Sequence, residues 1–211
     1  MNRLTEHFFK TSVWIFNQTD VKMAINGSRF SRHGLIKRAI ANGEILKIRR
    51  GLYCLAPAYQ KKPVGIYGIS EYIYGPSYIS FETALSYHGW IPESVYVCTC
   101  ASYRNSKEFK TPLGIFSYNH VPQKAFYADV ERCVGSNGNV YFMASAVKAM
   151  ADYVYVRKPG WTNIHDAAKS LRIESIDLHS VNAQQLSALT ENYNNGRVKH
   201  FLNNWKGALK S

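Results

Sequence analysis

The alternation of apolar and polar positions divides the chain into short periodic segments. Leu4, Phe8, Val13, Ile15 and Phe16 can share the buried side of a helix running from about Thr5 to Asn17. A second, short helix is expected from Thr19 or Asp20 to Ile25, capped by either side chain. Asn26-Gly27 turns the chain. A third helix starts near Ser28 or Ser31 and stops at Asn42-Gly43, with Leu35, Ile36, Ala39 and Ile40 as its apolar stripe. Two apolar runs then flank Arg49-Arg50-Gly51: Ile45, Leu46 and Ile48 before it, Leu52 to Leu55 after it. This is a β-hairpin pattern, with Gly51 supplying the positive φ of a tight turn.

The segment 59–65, with Lys61-Lys62, Pro63 and Gly65, reads as a linker. Beyond it the pattern is α+β. Val64 to Tyr74 reads as a helix and Tyr78-Ile79 as a short strand. Ser80 caps a helix through His88, and Gly89 and Pro92 end it. Val95 to Ala101 reads as a strand, with Tyr96, Cys98 and Cys100 on one side. Gly114 to His120 is a second strand, after a loop centred on Thr111-Pro112. Ala125 to Val130 and Val140 to Met143 are further strands. Ala144 to Val156, Val181 to Tyr193 and Arg197 to Leu209 are helices, and His165 and His179 fall in loops. The expected fold class is α+β, with an N-terminal winged helix-turn-helix at 1–62 and a mixed α/β domain with C-terminal helices at 63–211.

Charge sharpens the first part of that reading. The 211 residues carry a net charge of +12, and it is unevenly spread. Residues 1–62 hold 12 Lys/Arg against Glu6, Asp20 and Glu44, a net +9; residues 63–157 are neutral, and 158–211 carry +3. Basicity concentrated in one segment points to a polyanion partner. At 100° per residue, Gly34, Lys37 and Ala41 point away from the apolar stripe of the third helix. Arg29, Arg32 and His33 lie at its N-terminal entry, where side chains can reach phosphates or base edges. Gly34 costs about 1 kcal/mol of helix propensity. Either the helix lies close against another surface, or the glycine relieves crowding against the second helix. Arg29, Arg32, His33, Lys37 and Arg38, with Lys47, Arg49 and Arg50 of the hairpin, are the candidate DNA-contact residues. Arg49 and Arg50 at the tip would reach phosphates or the minor groove.

Four motifs carry a resemblance to the AbiEi-like antitoxins, transcriptional regulators of type IV toxin–antitoxin systems. "GEILKIRRGLYCLAP" resembles the family's G-x-[IL]-x-[RK]-[IV]-x-R-G-[LV]-Y signature. "YISFETALSYHGWIPE" is similar to the helix and loop after the family's linker, and "TPLGIFSYNHVP" to its central strand. "ASAVKAMADYVYV" resembles its A-x-x-x-KA-x-x-D helix, with Val147 and Met150 where glutamate and leucine are often found. The segments occur in the family's order over residues 15 to 205. The resemblance implies a DNA-binding autorepressor acting on an operator with inverted repeats. It also implies a C-terminal antitoxin domain and a nucleotidyltransferase-like toxin neutralised without a stable complex.

Other chemistries are less well supported by the residues. Glu108-Phe109-Lys110 has the E-x-K spacing of some metal-dependent nucleases, but the upstream Glu82 and Glu93 lie in helix or loop contexts; a solvated charged loop is the alternative. Ser86 and His88 do not face each other on a helix. Asp129 and Glu131 read as a solvated strand end. Fifteen tyrosines and ten phenylalanines raise an RNA-stacking alternative. Tyr67, Tyr72, Tyr74, Tyr78, Tyr87, Tyr96 and Tyr103 lie in the neutral segment, however, so most are expected in the core or half-buried, a few forming a protein-interaction face. Cys54, Cys98, Cys100 and Cys133 lack zinc-site spacing and read as reduced thiols of a cytoplasmic protein. Neither a catalytic residue, a metal site nor a cofactor is expected, and no apolar run approaches the roughly 18 residues of a membrane span.

Overall fold

The computed structural model describes residues 1–93, 95–135, 138–161 and 163–209. It is an α+β protein with, among the described residues, ten α-helices, a three-stranded antiparallel sheet and a six-stranded mixed sheet.

Helix α1 (Arg3–Lys10) is followed by strand β1 (Ile15–Asn17), helices α2 (Gln18–Ala24) and α3 (Arg29–Ala41), and strands β2 (Ile45–Arg49) and β3 (Leu52–Leu55). The expected first helix is therefore shorter than its apolar pattern. Ser12 adopts a left-handed φ of 59° and breaks it, and Ile15 and Phe16 pair instead with Cys54 and Tyr53 along the free edge of β3. A branched and an aromatic residue suit that pairing. The cap of α2 is also not the expected one. Asn17 accepts hydrogen bonds from the Thr19 and Asp20 amides, and the Asp20 carboxylate accepts one from the Asn17 amide, closing a reciprocal capping box. Ser28 caps α3 through the Ser31 amide, and Gly43 follows its end at φ 69°. Gly51 takes φ 79° in the hairpin turn, as expected.

A 3-10 turn, Pro57–Tyr59, leads into the expected linker. The Gln60 side chain braces it, accepting from the Val64 amide (3.0 Å) and donating to the Leu55 carbonyl. Then come α4 (Ile66–Tyr74), β4 (Ser77–Ile79), α5 (Phe81–Tyr87), β5 (Val97–Ser102), β6 (Lys107–Thr111), β7 (Gly114–His120), β8 (Val130–Val134) and β9 (Val140–Ala144). The strands order as β6-β7-β5-β4-β9-β8, with β5/β7 and β4/β9 parallel and the other pairs antiparallel. Helices α6 (Ala146–Arg157), α7 (Ile164–Leu171), α8 (Ser175–His179), α9 (Ala183–Asn192) and α10 (Gly196–Ala208) complete the chain. Among the described residues no helix is long and apolar enough to cross a membrane.

Several expectations for this half are corrected. The segment carrying Glu108 and Lys110 is the edge strand β6, not a loop, because Phe109 packs beneath it on Tyr74 and Tyr118. Ala125 to Val130 begins as a turn, with the Ala128 amide on the Ala125 carbonyl, and the strand starts only at Val130. His165 and His179 lie on α7 and α8. The Ser80 hydroxyl does not cap α5; it donates to Asp152 at 2.7 Å. Of the seven tyrosines of the neutral segment, most of them expected in the core or half-buried, Tyr72, Tyr87, Tyr96 and Tyr103 are exposed.

Two hydrophobic cores share the hairpin. Leu4, Phe8, Phe16, Val21, Ile36, Ile45 and Tyr53 belong to the smaller one, where the Phe8 and Phe16 rings stack at 4.0 Å. Ile48, Leu52 and Cys54 face the larger core, with Ile69, Phe116, Met150 and Trp205. Within the larger core Lys148 is fully buried. Its ammonium donates to Gln123 and to the Tyr193 hydroxyl (3.1 Å) and lies 4.0 Å from the Asp152 carboxylate. Asp152 in turn accepts from Tyr78, Ser80 and Tyr193. A charge in so dry a site persists only because each polar partner is satisfied.

Candidate nucleic-acid interface

The basic residues of the first sixty positions converge where α3 meets the hairpin. The capping box that starts α2 at Asn17 aims Gln18, Thr19 and Lys22 toward the entry of α3. The Ser28 cap brings Arg29, Phe30, Arg32 and His33 onto the first turns of that helix. With Lys47, Arg50, Gly51 and Tyr53 from the hairpin they line a concave cleft of about 910 Å³. Ile36 and Tyr53 turn their buried sides into the small core, which fixes the walls.

Five of the eight sequence-derived residues, Arg29, Arg32, His33, Lys47 and Arg50, line this cleft; Lys37, Arg38 and Arg49 do not. Lys37 and Arg38 are exposed further along α3. The hairpin's paired arginines separate. Arg50 faces the cleft, whereas the Arg49 guanidinium donates to the carbonyl of Tyr72 on α4 at 3.3 Å. Adjacent residues at a strand end point to opposite faces, so side-by-side arginines serve two surfaces.

Sequence reasoning missed Lys22 and Phe30. Lys22 sits on the short α2, to which the sequence reading assigned no contact residue. Phe30 is 90% exposed. A phenylalanine beside Arg29 and outside the stripe of Leu35, Ile36, Ala39 and Ile40 is the signal that marks it.

The electrostatics are one-sided. Among the described residues none of Lys22, Arg29, Arg32, Lys47 and Arg50 forms an ion pair with a carboxylate. Arg32 instead donates to the Gly27 carbonyl, which braces the turn before α3. The acids of this half are occupied elsewhere: Asp20 in its capping box, Glu6 on Lys10 at 2.6 Å, and Glu44 on the Asn2 amide at 2.7 Å. Burial pushes the Glu44 carboxyl up, but hydrogen bonds from its neighbours, the Asn2 amide among them, outweigh that and hold it below the usual carboxylate range.

Gly34 also resolves. A Cβ placed there would meet nothing closer than the Arg38 guanidinium at 3.8 Å, an ordinary contact. Crowding against α2 is therefore not the reason for the glycine.

The other candidate chemistries are scattered. Glu108 and Lys110 share the exposed side of the edge strand β6. Ser86 donates to the Glu93 carbonyl, while the His88 ring meets the Ala144 carbonyl. Asp129 is not solvated but half-buried, accepting from Ser145 and Gln185; Glu131 is exposed. The chain matches no family model and none of the curated proteins.

Proposed function

We propose that the protein is a sequence-specific DNA-binding regulator of the AbiEi-like antitoxin type, with residues 1–62 acting as a winged helix-turn-helix. In this reading α3 enters the major groove with Arg29, Arg32 and His33 leading, and the β2–β3 hairpin is the wing. One observation carries it: uncompensated cations from α2, α3 and the hairpin line a single concave surface. Such a surface suits a phosphate backbone, and long side chains at a helix entry suit base edges. Gly34, which nothing inside the protein requires, fits a helix that lies close against a ligand.

The antitoxin part rests on the motif resemblance in the second half. The partner would be a nucleotidyltransferase-like toxin, and repression and antitoxicity would be separable activities.

Nuclease protection of the DNA upstream of the protein's own reading frame tests the regulator reading. The expected result is a protected stretch containing inverted repeats, lost in an Arg32→Ala/Arg50→Ala variant. That variant should derepress a reporter yet still rescue cells from the toxin supplied by an unrelated promoter. Absence of any protected stretch, with the folded protein in excess, contradicts the reading.

A further inference from the structure

Residues 63–157 hold seven basic and seven acidic groups, but the fold spreads them unevenly. Glu82 pairs with Arg157 at 3.0 Å, Glu93 with Arg172, and Asp152 lies beside Lys148. Strand β6 forms one edge of the six-stranded sheet, and none of these three carboxylates lines the surface beside it. Arg104 and Lys107, at that edge, pair with no carboxylate among the described residues. Glu108 alternates to the other side of β6 from Lys107 and Phe109.

Arg104 and Lys107 line a second open cleft of about 640 Å³, and the third cation in it is Arg49, the arginine that turns away from the first cleft. The cleft's lining includes one carboxylate, Glu71, which accepts from the Tyr127 hydroxyl at 3.4 Å; burial raises its pKa. The cations sit among aromatic rings. Arg104 lies 5.9 Å over Tyr74 and Lys107 5.2 Å over Phe109, and those two rings are 5.5 Å apart. Tyr72 and Tyr127 also line the cleft, 57% and 42% exposed.

Three like charges gathered with little compensation favour an anion, and exposed tyrosines beside them offer a face to a planar ring. We propose that this cleft binds a nucleotide unit, with phosphate against Arg49, Arg104 and Lys107 and the base against Tyr72 and Tyr127. The volume is that of a small-ligand site. A base that stacks must be unpaired, so the ligand is a free nucleotide or a stretch of single strand, not duplex. The site is independent of the duplex reading of the first cleft.

Titration calorimetry on the full chain tests this with three probes: ATP, single-stranded octathymidylate and pyrophosphate. ATP or the octamer should bind, and more tightly than pyrophosphate; preference for ATP assigns a free nucleotide, preference for the octamer a strand. Arg104→Ala/Lys107→Ala should weaken binding about tenfold or more. Tyr72→Ala should weaken ATP or the octamer by about fivefold or more, leaving pyrophosphate unchanged. Thermal melts matching the parent chain check that these surface changes leave the fold intact. Three results overturn the proposal: neither ATP nor the octamer binds, pyrophosphate binds as tightly as both, or the double variant binds unchanged. None of these touches duplex binding, which the first-cleft residues decide.

Discussion

At the scale of single residues, Gly34 separates stability from function. It lies inside α3 with room for a Cβ, so Gly34→Ala should stabilise the folded chain by up to about 1 kcal/mol. In the proposed reading the same methyl should weaken duplex binding, because it would stand where the helix lies close against DNA. Urea denaturation and a binding titration on one preparation read both signs; tighter or unchanged binding contradicts the close-approach role. The paired arginines make a second test. Arg50→Ala should flatten the log–log salt dependence of duplex binding by about 0.9, one phosphate contact. Arg49→Ala should change it less, since Arg49 lies outside the first cleft. The sequence could not divide the two. Charge clustering marks both as exposed and basic, but which face each takes depends on where the larger sheet packs.

Among elements, legibility followed how local the determining contacts are. Helix α3 and the hairpin emerged nearly complete, because Ser28, Asn42-Gly43 and Gly51 carry their own start, stop and turn chemistry. The apolar run Val13 to Phe16 misled, because its pairing partner, β3, lies nearly forty residues away. The edge strand β6 was hidden for a similar reason: Glu108 and Lys110 face outward, and Phe109 is the strand's one apolar residue to record the packing. Helix α6 was readable as an element, but not its buried Lys148. Three partners of that network, Gln123, Tyr78 and Tyr193, arrive from distant elements. Burial lowers the Lys148 pKa against the pull of Asp152, so the pair is held by its hydrogen bonds rather than by solvent. Lys148→Met should leave the Asp152 charge buried without its cation and cost roughly 3–5 kcal/mol in urea denaturation. A cost near zero would show that the hydroxyls alone suffice.

For the whole molecule, the hairpin joins two cores, and this shapes both stability and the choice of experiment. Cutting the chain at residue 62 would expose Ile48, Leu52 and Cys54, which pack into the larger core, so binding is best measured on the full chain. The larger core also holds tyrosines whose hydroxyls burial keeps protonated. Tyr78, Tyr118 and Tyr193 are all raised above the ordinary phenol value, first by desolvation. Because the folded values are raised, the unfolded chain releases these protons first. The stabilisation they give is complete below pH of about 10 and is lost as pH rises beyond it. The urea midpoint should therefore fall steeply on the alkaline side, with phenolate absorbance from these residues rising only as the chain unfolds. Titration of all fifteen tyrosines near 10 in the folded protein would contradict their burial. The central claim is that the cations of α2, α3 and the hairpin meet duplex DNA, and its most direct test is the salt dependence of duplex binding by the full chain. With Lys22, Arg29, Arg32, Lys47 and Arg50 each neutralising a phosphate, the log–log slope should lie near −4 to −5. It should flatten stepwise as those residues are replaced by alanine. A slope near zero, or one that those replacements leave unchanged, would contradict the account.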